Sequence, residues 1–153
     1  MLRERLSDRL RLAMKGREKR AVSTVRLILT AVKDRDIATR GKGDADVISD
    51  QEILQVLQTM VRQRNESIAL YEQGGRLELA KQENEEIGII ETFLPDRLDE
   101  AATEEAIRSV VGEIGASNIK DMGRTMAILR ERYAGQIDFT KASAAVKVQL
   151  NAG

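Results

Sequence analysis

The sequence predicts an all-α protein built from two helical subdomains. Along most of the chain, apolar residues recur at intervals of three and four, which is the period of an amphipathic helix. Charged residues make up 33% of the chain, aromatic residues only 3%, and there is a single proline. This composition is typical of helices that pack through Leu, Ile, Val, Met and Ala. With 153 residues, the chain is long enough to bury a substantial core.

The single proline, Pro95, predicts the joint between the two subdomains. Proline has no amide hydrogen to donate and clashes with the preceding helical turn, so a helix that approaches it should end at or before Leu94. Upstream the predicted helices are long and densely charged, whereas downstream they are shorter and the glycines lie closer together. We therefore predict an N-terminal helical subdomain over residues 1–95 and a C-terminal tail subdomain over residues 96–153.

Two helices are predicted to open the N-terminal subdomain. The first covers residues 2–15 and is expected to stop at Gly16. The second runs from about Glu18 to Arg40, and a polar loop follows at residues 39–47. Gly41-Lys42-Gly43 in that loop fits neither a P-loop nor a complete dinucleotide-binding fingerprint, so it gives little support for a phosphate site.

The next two helices are predicted to form an αα-hairpin, which completes a four-helix N-terminal part. Ser49-Asp50-Gln51-Glu52 has the pattern of a capping box, in which the Ser49 hydroxyl accepts from the Glu52 amide. The helix that it opens should end at Gly74-Gly75, and a two-glycine turn favours an antiparallel return. The returning helix is predicted over residues 76–94.

Three helices are predicted in the tail subdomain, where they form a bundle. Asp99 is expected to cap a helix that ends near Gly115, and Asp138 to cap the last helix. The helix between them begins at residues 117–119 and ends by residues 134–135. Within it, we interpret Gly123 as a point of close helix packing, because a missing side chain lets another backbone approach.

Two charged residues fall on the apolar stripes of the predicted hairpin. Arg64 and Glu83 lie at similar distances from the Gly74-Gly75 turn, so they should sit at similar height on facing helices. We predict a structural ion pair between them, which fixes the register of the hairpin. In the alternative interpretation, Glu83 and Glu86 form an acid/base or metal-binding carboxylate pair. Neither a histidine nor a second carboxylate-bearing helix supports that alternative.

The composition limits the possible chemistry. The chain has no cysteine and no histidine, which excludes disulfides, thiolate metal sites and thiol nucleophiles and removes the commonest general base. No apolar run approaches the roughly 18 residues that span a bilayer, and the N-terminus lacks the apolar core of a signal peptide. We therefore predict a cytoplasmic protein with no membrane partner, no metal site and no cofactor.

A net charge of zero conceals a strong asymmetry along the chain. Residues 1–42 carry 13 Lys/Arg and 5 Asp/Glu, whereas residues 43–95 carry 4 and 11. The basic start can meet phosphate groups of a nucleic acid. It can equally pack against the acidic segment within one fold, and the sequence leaves both interpretations open.

Several short motifs, in a fixed order along essentially the whole chain, carry a family resemblance. They are Gln63-Arg64-Asn65-Glu66-Ser67-Ile68, Gly75-Arg76 with Leu79-Ala80, Glu91 to Pro95 with Leu98, Gly115-Ala116-Ser117, Lys120-Asp121-Met122-Gly123-Arg124 with Met126, and Gly135 with Asp138. With these motifs the chain resembles the YqeY family (GatB/YqeY), the stand-alone relatives of the C-terminal tail region of the GatB subunit of tRNA-dependent amidotransferase.

The resemblance implies an all-α fold of two subdomains and a link to tRNA-dependent transamidation, in which misacylated tRNA is amidated with glutamine. In GatB the chemistry belongs to a separate catalytic domain, and the tail is similar to a tRNA-contacting module. The implied function is therefore a tRNA-associated accessory or binding module. Its implied partners are tRNA and amidotransferase or aminoacyl-tRNA synthetase proteins.

The candidate nucleic-acid contacts are cations in the tail and near the N-terminus: Lys120, Arg124, Arg130, Arg132, Arg17, Lys19, Arg20 and Arg26. Two alternative functions remain. One is an amidotransferase-type carbon–nitrogen ligase with glutamine as amido-N-donor. No catalytic residue can be assigned to it, because cysteine is absent and the serines show no amidase signature with a partner lysine. The other is a helical protein-binding adaptor.

Overall fold

A computed structural model describes residues 1–40 and 47–152. Within these ranges the chain forms seven α-helices and one short 3₁₀-helix and contains no β-strand. The predicted all-α class is therefore confirmed over the described part of the chain. Gly41-Lys42-Gly43 and the rest of the predicted loop at residues 41–46 lie outside it. The chain divides into two compact units, Met1–Pro95 and Asp96–Gly153.

The first unit contains four helices, which are α1 Leu2–Lys15, α2 Lys19–Thr39, α3 Asp50–Gln73 and α4 Leu77–Glu91. Their apolar stripes meet in one core, whose fully buried side chains include Leu6, Ile28, Ile53, Leu57 and Ile90. A smaller cluster of Ile68, Ala80 and Ile87 joins α3 to α4 near the turn between them. The four-helix part and its hairpin therefore follow from the amphipathic period of the sequence.

The ends of these helices are determined by hydrogen bonds between residues close in sequence. Ser49 caps α3, since its hydroxyl accepts from the Glu52 amide at 3.2 Å. The predicted end of α4 at Leu94 is wrong, because the α-helix ends at Glu91. The amides of the next three residues instead donate to carbonyls three positions back. The chain thus tightens into a narrower turn before Pro95, as often happens at helix C-termini.

The turn between α1 and α2 places a non-glycine residue in the left-handed region. Gly16 follows α1 as predicted, but its φ of −80° is right-handed. Arg17 takes the left-handed conformation with a φ of 54°, and no other non-glycine residue in the described ranges has a positive φ. The Glu18 amide then closes the turn by donating to the Ala13 carbonyl at 2.9 Å. A side chain in this conformation crowds its own backbone, so the turn carries strain.

A carboxylate on α2 ties three segments of the first unit together. The buried Asp36 side chain accepts hydrogen bonds from the Arg3 guanidinium at 2.9 Å and from the Ile48 amide at 2.8 Å. The hydrogen bond from Arg3, opposed by burial and helped by the Ile48 amide, lowers the pKa of Asp36. Because the folded-state pKa is depressed, this group adds stability above its usual titration range and loses it as the pH falls.

The second unit contains α5 Glu100–Ile114, a 3₁₀-helix Ile119–Asp121, α6 Met122–Arg132 and α7 Phe139–Ala152. The three α-helices pack around a separate core, whose largest fully buried side chains are Ile107, Val110, Leu129, Ile137 and Val146. Asp99 caps α5 by accepting from the Ala102 amide at 2.7 Å, and Asp138 accepts from the Thr140 amide at 3.0 Å. Both predicted caps are thus observed.

The predicted role of Gly123 is wrong. A Cβ atom added at this position would meet nothing within 4 Å, and the residue is exposed. The reason lies in the helix period. Met122 and Met126 point toward the core of the second unit, and Gly123 is turned about 100° away from Met122, outside the buried arc. Overpacking by a larger residue is therefore not expected there.

Two glycines at the end of α5 give a test of this backbone description. Gly112 lies inside α5 with open space around it, whereas Gly115 ends the helix with a φ of 66°. We expect Gly112→Ala to raise the free energy of unfolding by roughly 0.5–1 kcal/mol, through lower unfolded-state entropy. Gly115→Ala should lower it by about 1 kcal/mol, because a Cβ is unfavourable in the left-handed region. Urea unfolding measures both, and changes of the same sign would contradict the assigned helix end.

Candidate nucleic-acid interface

The turn that precedes α6 is organised by two polar side chains. The Asp121 carboxylate accepts from the Ser117 amide at 3.0 Å, and the Asn118 side-chain oxygen accepts from the Lys120 amide at 2.9 Å. The hydrogen bond from the Ser117 amide is the main reason that the pKa of Asp121 lies below its usual value. Because these bonds are made locally, the turn has a defined shape before any partner binds.

Arg124 is held against this turn. Its guanidinium donates to the Asp121 carboxylate at 3.1 Å and to the Ile114 carbonyl at 3.3 Å. Its side chain nevertheless remains 56% exposed. A guanidinium has five N–H donors, so these two contacts leave donors free while they fix the direction of the group.

Lys120 and Gly123 make the same turn accessible. Lys120 is exposed, and none of the described carboxylates lies within ion-pair distance of its ammonium group. Gly123, one position before Arg124, presents bare backbone to open space. The turn therefore offers one cation that no described carboxylate neutralises, one oriented cation, and no side chain at position 123 to keep a partner away. We call Lys120, Gly123 and Arg124 the tail turn.

The other two tail candidates are engaged within the second unit. Arg132 forms a two-pronged ion pair with Glu113, with one N–O distance of 3.0 Å. Arg130 lies over the ring of Phe139, with its guanidinium carbon 6.0 Å from the ring centroid. Both arginines remain exposed. Their charge is partly committed to α5 and α7, so they are weaker candidates for phosphate contact than the tail turn.

The four N-terminal candidates divide into one residue with carboxylate partners and three for which the described residues supply none. Arg20 is half-buried and reaches α4, where its guanidinium lies 3.4 Å from Glu85 and 4.0 Å from Glu86. Arg17, Lys19 and Arg26 are exposed, and none of them pairs with a carboxylate in the described ranges. Arg20 thus fits the interpretation that the basic start packs against the acidic segment. The other three leave the phosphate interpretation open.

The structure brings Arg64 and Glu83 together but gives Arg64 a closer partner. The Arg64 Nε lies 3.8 Å from the Glu83 carboxylate and donates to the Glu86 carboxylate at 2.9 Å. Glu86 also faces Arg20 at 4.0 Å, so it lies between cations of α2 and α3. From the sequence, Glu86 was considered only as a member of the alternative carboxylate pair with Glu83, and not as a partner of Arg64. Its spacing of three residues from Glu83 already put both on one helix face.

Of the two carboxylates in this cluster, Glu83 lies in the environment that is less favourable to its charged form. Burial and the neighbouring charge of Glu86 raise the pKa of Glu83, while Arg64 opposes the change. A raised folded-state pKa means that the folded state gains stability from this group at low pH. That stability is lost as the pH rises through the raised value. Both carboxylates contact Arg64, so we interpret the three residues as a structural ion cluster. This interpretation requires no catalytic or metal-binding role for Glu83 and Glu86.

The described residues offer little other chemistry. Within them, no group of three or more acidic side chains is arranged to hold a metal ion. None of the described helices is both long and apolar enough to cross a membrane.

Together, the two helical cores and the exposed cations define an all-α protein whose candidate site is a charged surface. The chain belongs to the family of YqeY-like proteins, which matches it over residues 3–150. The predicted membership of the YqeY family is therefore confirmed. The uncharacterized protein C22F3.15 of Schizosaccharomyces pombe is similar to this chain, with 29% identity over 96 residues. These residues are 63% of this chain and 71% of that protein, whose name assigns no activity.

The unequal roles of the two carboxylates give a second test. Glu86→Gln should lower the free energy of unfolding at pH 7 by about 1 to 2 kcal/mol, because Arg64 loses a charge-assisted hydrogen bond. Glu83→Gln should leave it unchanged or slightly higher, because it removes a carboxylate that is unfavourable when charged. Relative to the unchanged protein, Glu83→Gln should gain stability as the pH rises from about 4 to 7, and urea unfolding at several pH values measures this difference. Equal effects of both substitutions would contradict this assignment.

Proposed function

We propose that this protein is a cytoplasmic, tRNA-associated accessory module linked to tRNA-dependent transamidation. It acts by binding through the tail turn. The proposal rests on two neighbouring cations: Lys120, which has no carboxylate partner among the described residues, and Arg124, which Asp121 and Ile114 hold in place. Partner proteins of the transamidation system, namely amidotransferases or aminoacyl-tRNA synthetases, would then meet this protein on the tRNA.

The geometry of the tail turn suits a phosphate backbone. Phosphate contacts position a nucleic acid through cations that reach its oxygen atoms, and they carry no base information. Arg124 supplies a guanidinium of fixed direction, whose Nε and Nη1 donors remain for phosphate oxygens because Nη2 makes both internal hydrogen bonds. Lys120 supplies a mobile point charge. The exposed backbone at Gly123 lets the chain of phosphates pass close to the helix.

The net charge and the aromatic content of the chain set the strength of binding that we expect. The chain has no net charge and a pI of about 6.4, so long-range attraction to a polyanion is weak. It has two tyrosines, two phenylalanines and no tryptophan, and all four rings are half-buried or buried. Base stacking therefore adds little, and sequence-specific recognition of unpaired bases is not expected. Binding should be weak and sensitive to salt.

The residue content supports binding over catalysis by this chain alone. Activation of glutamine requires a nucleophile with a positioned base, and the chain contains neither cysteine nor histidine. The carboxylate whose pKa is raised, Glu83, sits against Arg64 and Glu86 in a structural cluster. A binding role requires only the exposed cations.

Charge reversal at the tail turn tests the proposal. Lys120→Glu with Arg124→Glu should weaken binding to total tRNA. It should also make the slope of log K against log salt shallower by about 1.5 to 2, because two phosphate contacts are lost. Filter binding at several salt concentrations measures both effects. The matched control is Lys141→Glu with Lys147→Glu, which makes the same charge change at exposed positions of α7. Equal losses in both double variants would indicate a general charge effect and contradict the proposed site.

An activity assay separates this proposal from the amidotransferase alternative. We expect the purified protein to release no ammonia from glutamine, with or without ATP and misacylated tRNA, because no group that activates glutamine is present. A coupled glutamate dehydrogenase assay measures the ammonia. Glutamine-dependent amidation of misacylated tRNA by this chain alone would contradict the proposal that the protein is a binding module.

A further inference from the structure

We infer that α2 carries a second nucleic-acid contact, a row of cations that binds the phosphate backbone of double-stranded RNA. The row consists of Lys19, Arg26 and Lys33, and we call it the α2 cation row. It deepens the proposed function, on which it rests, by naming helical stems as the part of the RNA that is bound. It is independent of the tail turn, because it lies in the other unit.

The spacing of the α2 cation row follows from the helix. Lys19, Arg26 and Lys33 are seven residues apart, and α2 is continuous over Lys19–Thr39. Seven residues make nearly two turns, so successive members drift by only about 20° around the axis and rise by about 10.5 Å. The three cations therefore lie on one line along the same side of α2. Such a line matches a polymer that repeats its charge along an axis.

The row is available to a partner, in contrast to other cations of the first unit. Its three side chains are exposed, and none has a carboxylate partner in the described ranges. Arg3 and Arg20, by comparison, are paired with Asp36 and with Glu85. The opposite face of α2 is fixed in the core through its buried residues Ala21, Val25, Ile28 and Val32. Position and orientation of the row are thus set by the fold.

A second observation marks the N-terminal end of the row. Arg17, two positions before Lys19, is exposed and holds the left-handed φ of 54°. Glycine would fit this conformation without crowding, and Gly16 is its neighbour. This conformation belongs to the cap that ends α1, where the Arg17 and Glu18 amides donate to the Met14 and Ala13 carbonyls. The cap places a further exposed cation near the N-terminal end of the row.

Three comparisons favour a double-stranded nucleic acid as the occupant, and the tRNA of the proposed function makes it RNA. Single strands are bound largely by stacking on aromatic rings, and no ring of this chain is exposed. A membrane-surface helix inserts its apolar face, but the apolar face of α2 is buried. An acidic protein would need its carboxylates in a matching line, whereas a phosphate backbone supplies that line by its covalent structure. The exposed acidic residue on α2, Asp34, is about 100° from Lys33 and leaves the row clear.

The test removes the charges of the row. The variant Lys19→Gln, Arg26→Gln and Lys33→Gln keeps good helix formers. The matched control is Arg35→Gln, Arg62→Gln and Lys81→Gln, three exposed cations of the same unit that lie off the row. The probes are a 12-base-pair RNA duplex, one of its single strands, and polyglutamate of similar charge. Fluorescence anisotropy at several salt concentrations measures binding, and circular dichroism checks that each variant remains helical.

We expect the unchanged protein to prefer the duplex over both other probes. The row variant should lose affinity for the duplex, and its salt slope should become shallower by about 2 to 3, while the control keeps the original slope. Three results would overturn the inference: duplex binding unchanged in the row variant, equal loss in the control, or tighter binding of the single strand or polyglutamate.

The tail-turn variant, measured on the same duplex, separates this inference from the proposed function. Loss of tRNA and duplex binding in the row variant, with both retained in the tail-turn variant, would support the row and contradict the tail turn as the site of the proposed function. Binding of tRNA and of the duplex that is lost in the tail-turn variant but retained in the row variant would support the proposed function and overturn the row.

Discussion

Each α-helix of this protein has one apolar face, which packs into the core of its own unit. In the first unit Leu6, Ile28 and Leu57 are completely buried, and in the second Ile107 and Leu129 are. Burial of such a side chain contributes roughly 1.5–3 kcal/mol, more than an exposed ion pair does. The cores therefore determine how each helix is turned, and the charged residues receive the remaining faces. Functional interpretation of this molecule begins with which of those faces stay unoccupied.

The same dependence explains what the sequence could predict about the fold. The helical period fixes α1 at Leu2–Lys15 as predicted, and the Ser49 and Asp99 caps depend only on neighbours within one turn. The incorrect end of α4 and the incorrect role of Gly123 have different origins. The tightening before Pro95 involves a choice between two kinds of helical turn, which no local pattern encodes. The exposure of Gly123, in contrast, follows from the helical period, which turns it about 100° away from Met122.

For the candidate sites, too, the sequence predicted one part and left another to the packing of the helices. Charge counts identify the cations but do not show which of them the fold neutralises. Arg20 and Lys19 are adjacent in the sequence, yet Arg20 reaches Glu85 and Lys19 does not. In the tail, Arg132 is paired with Glu113 while Lys120 has no such partner in the described ranges. Only the packing of α2 on α4, and of α6 beside α5, separates the cations that hold the structure from those left for a partner.

The hydrogen bonds of Asp36 also bear on the order in which the first unit folds. Arg3 is 33 positions from Asp36 along the chain, whereas Ile48 is 12 positions away. Closing a longer loop costs more chain entropy, so we expect contacts of long sequence separation to form later. By this argument the Ile48 contact forms first, and the Arg3 contact forms when α1 docks on α2. Interactions that form after the rate-limiting barrier act mainly on the unfolding rate. We therefore expect Arg3 to slow the detachment of α1 and to have little effect on the rate at which the unit folds.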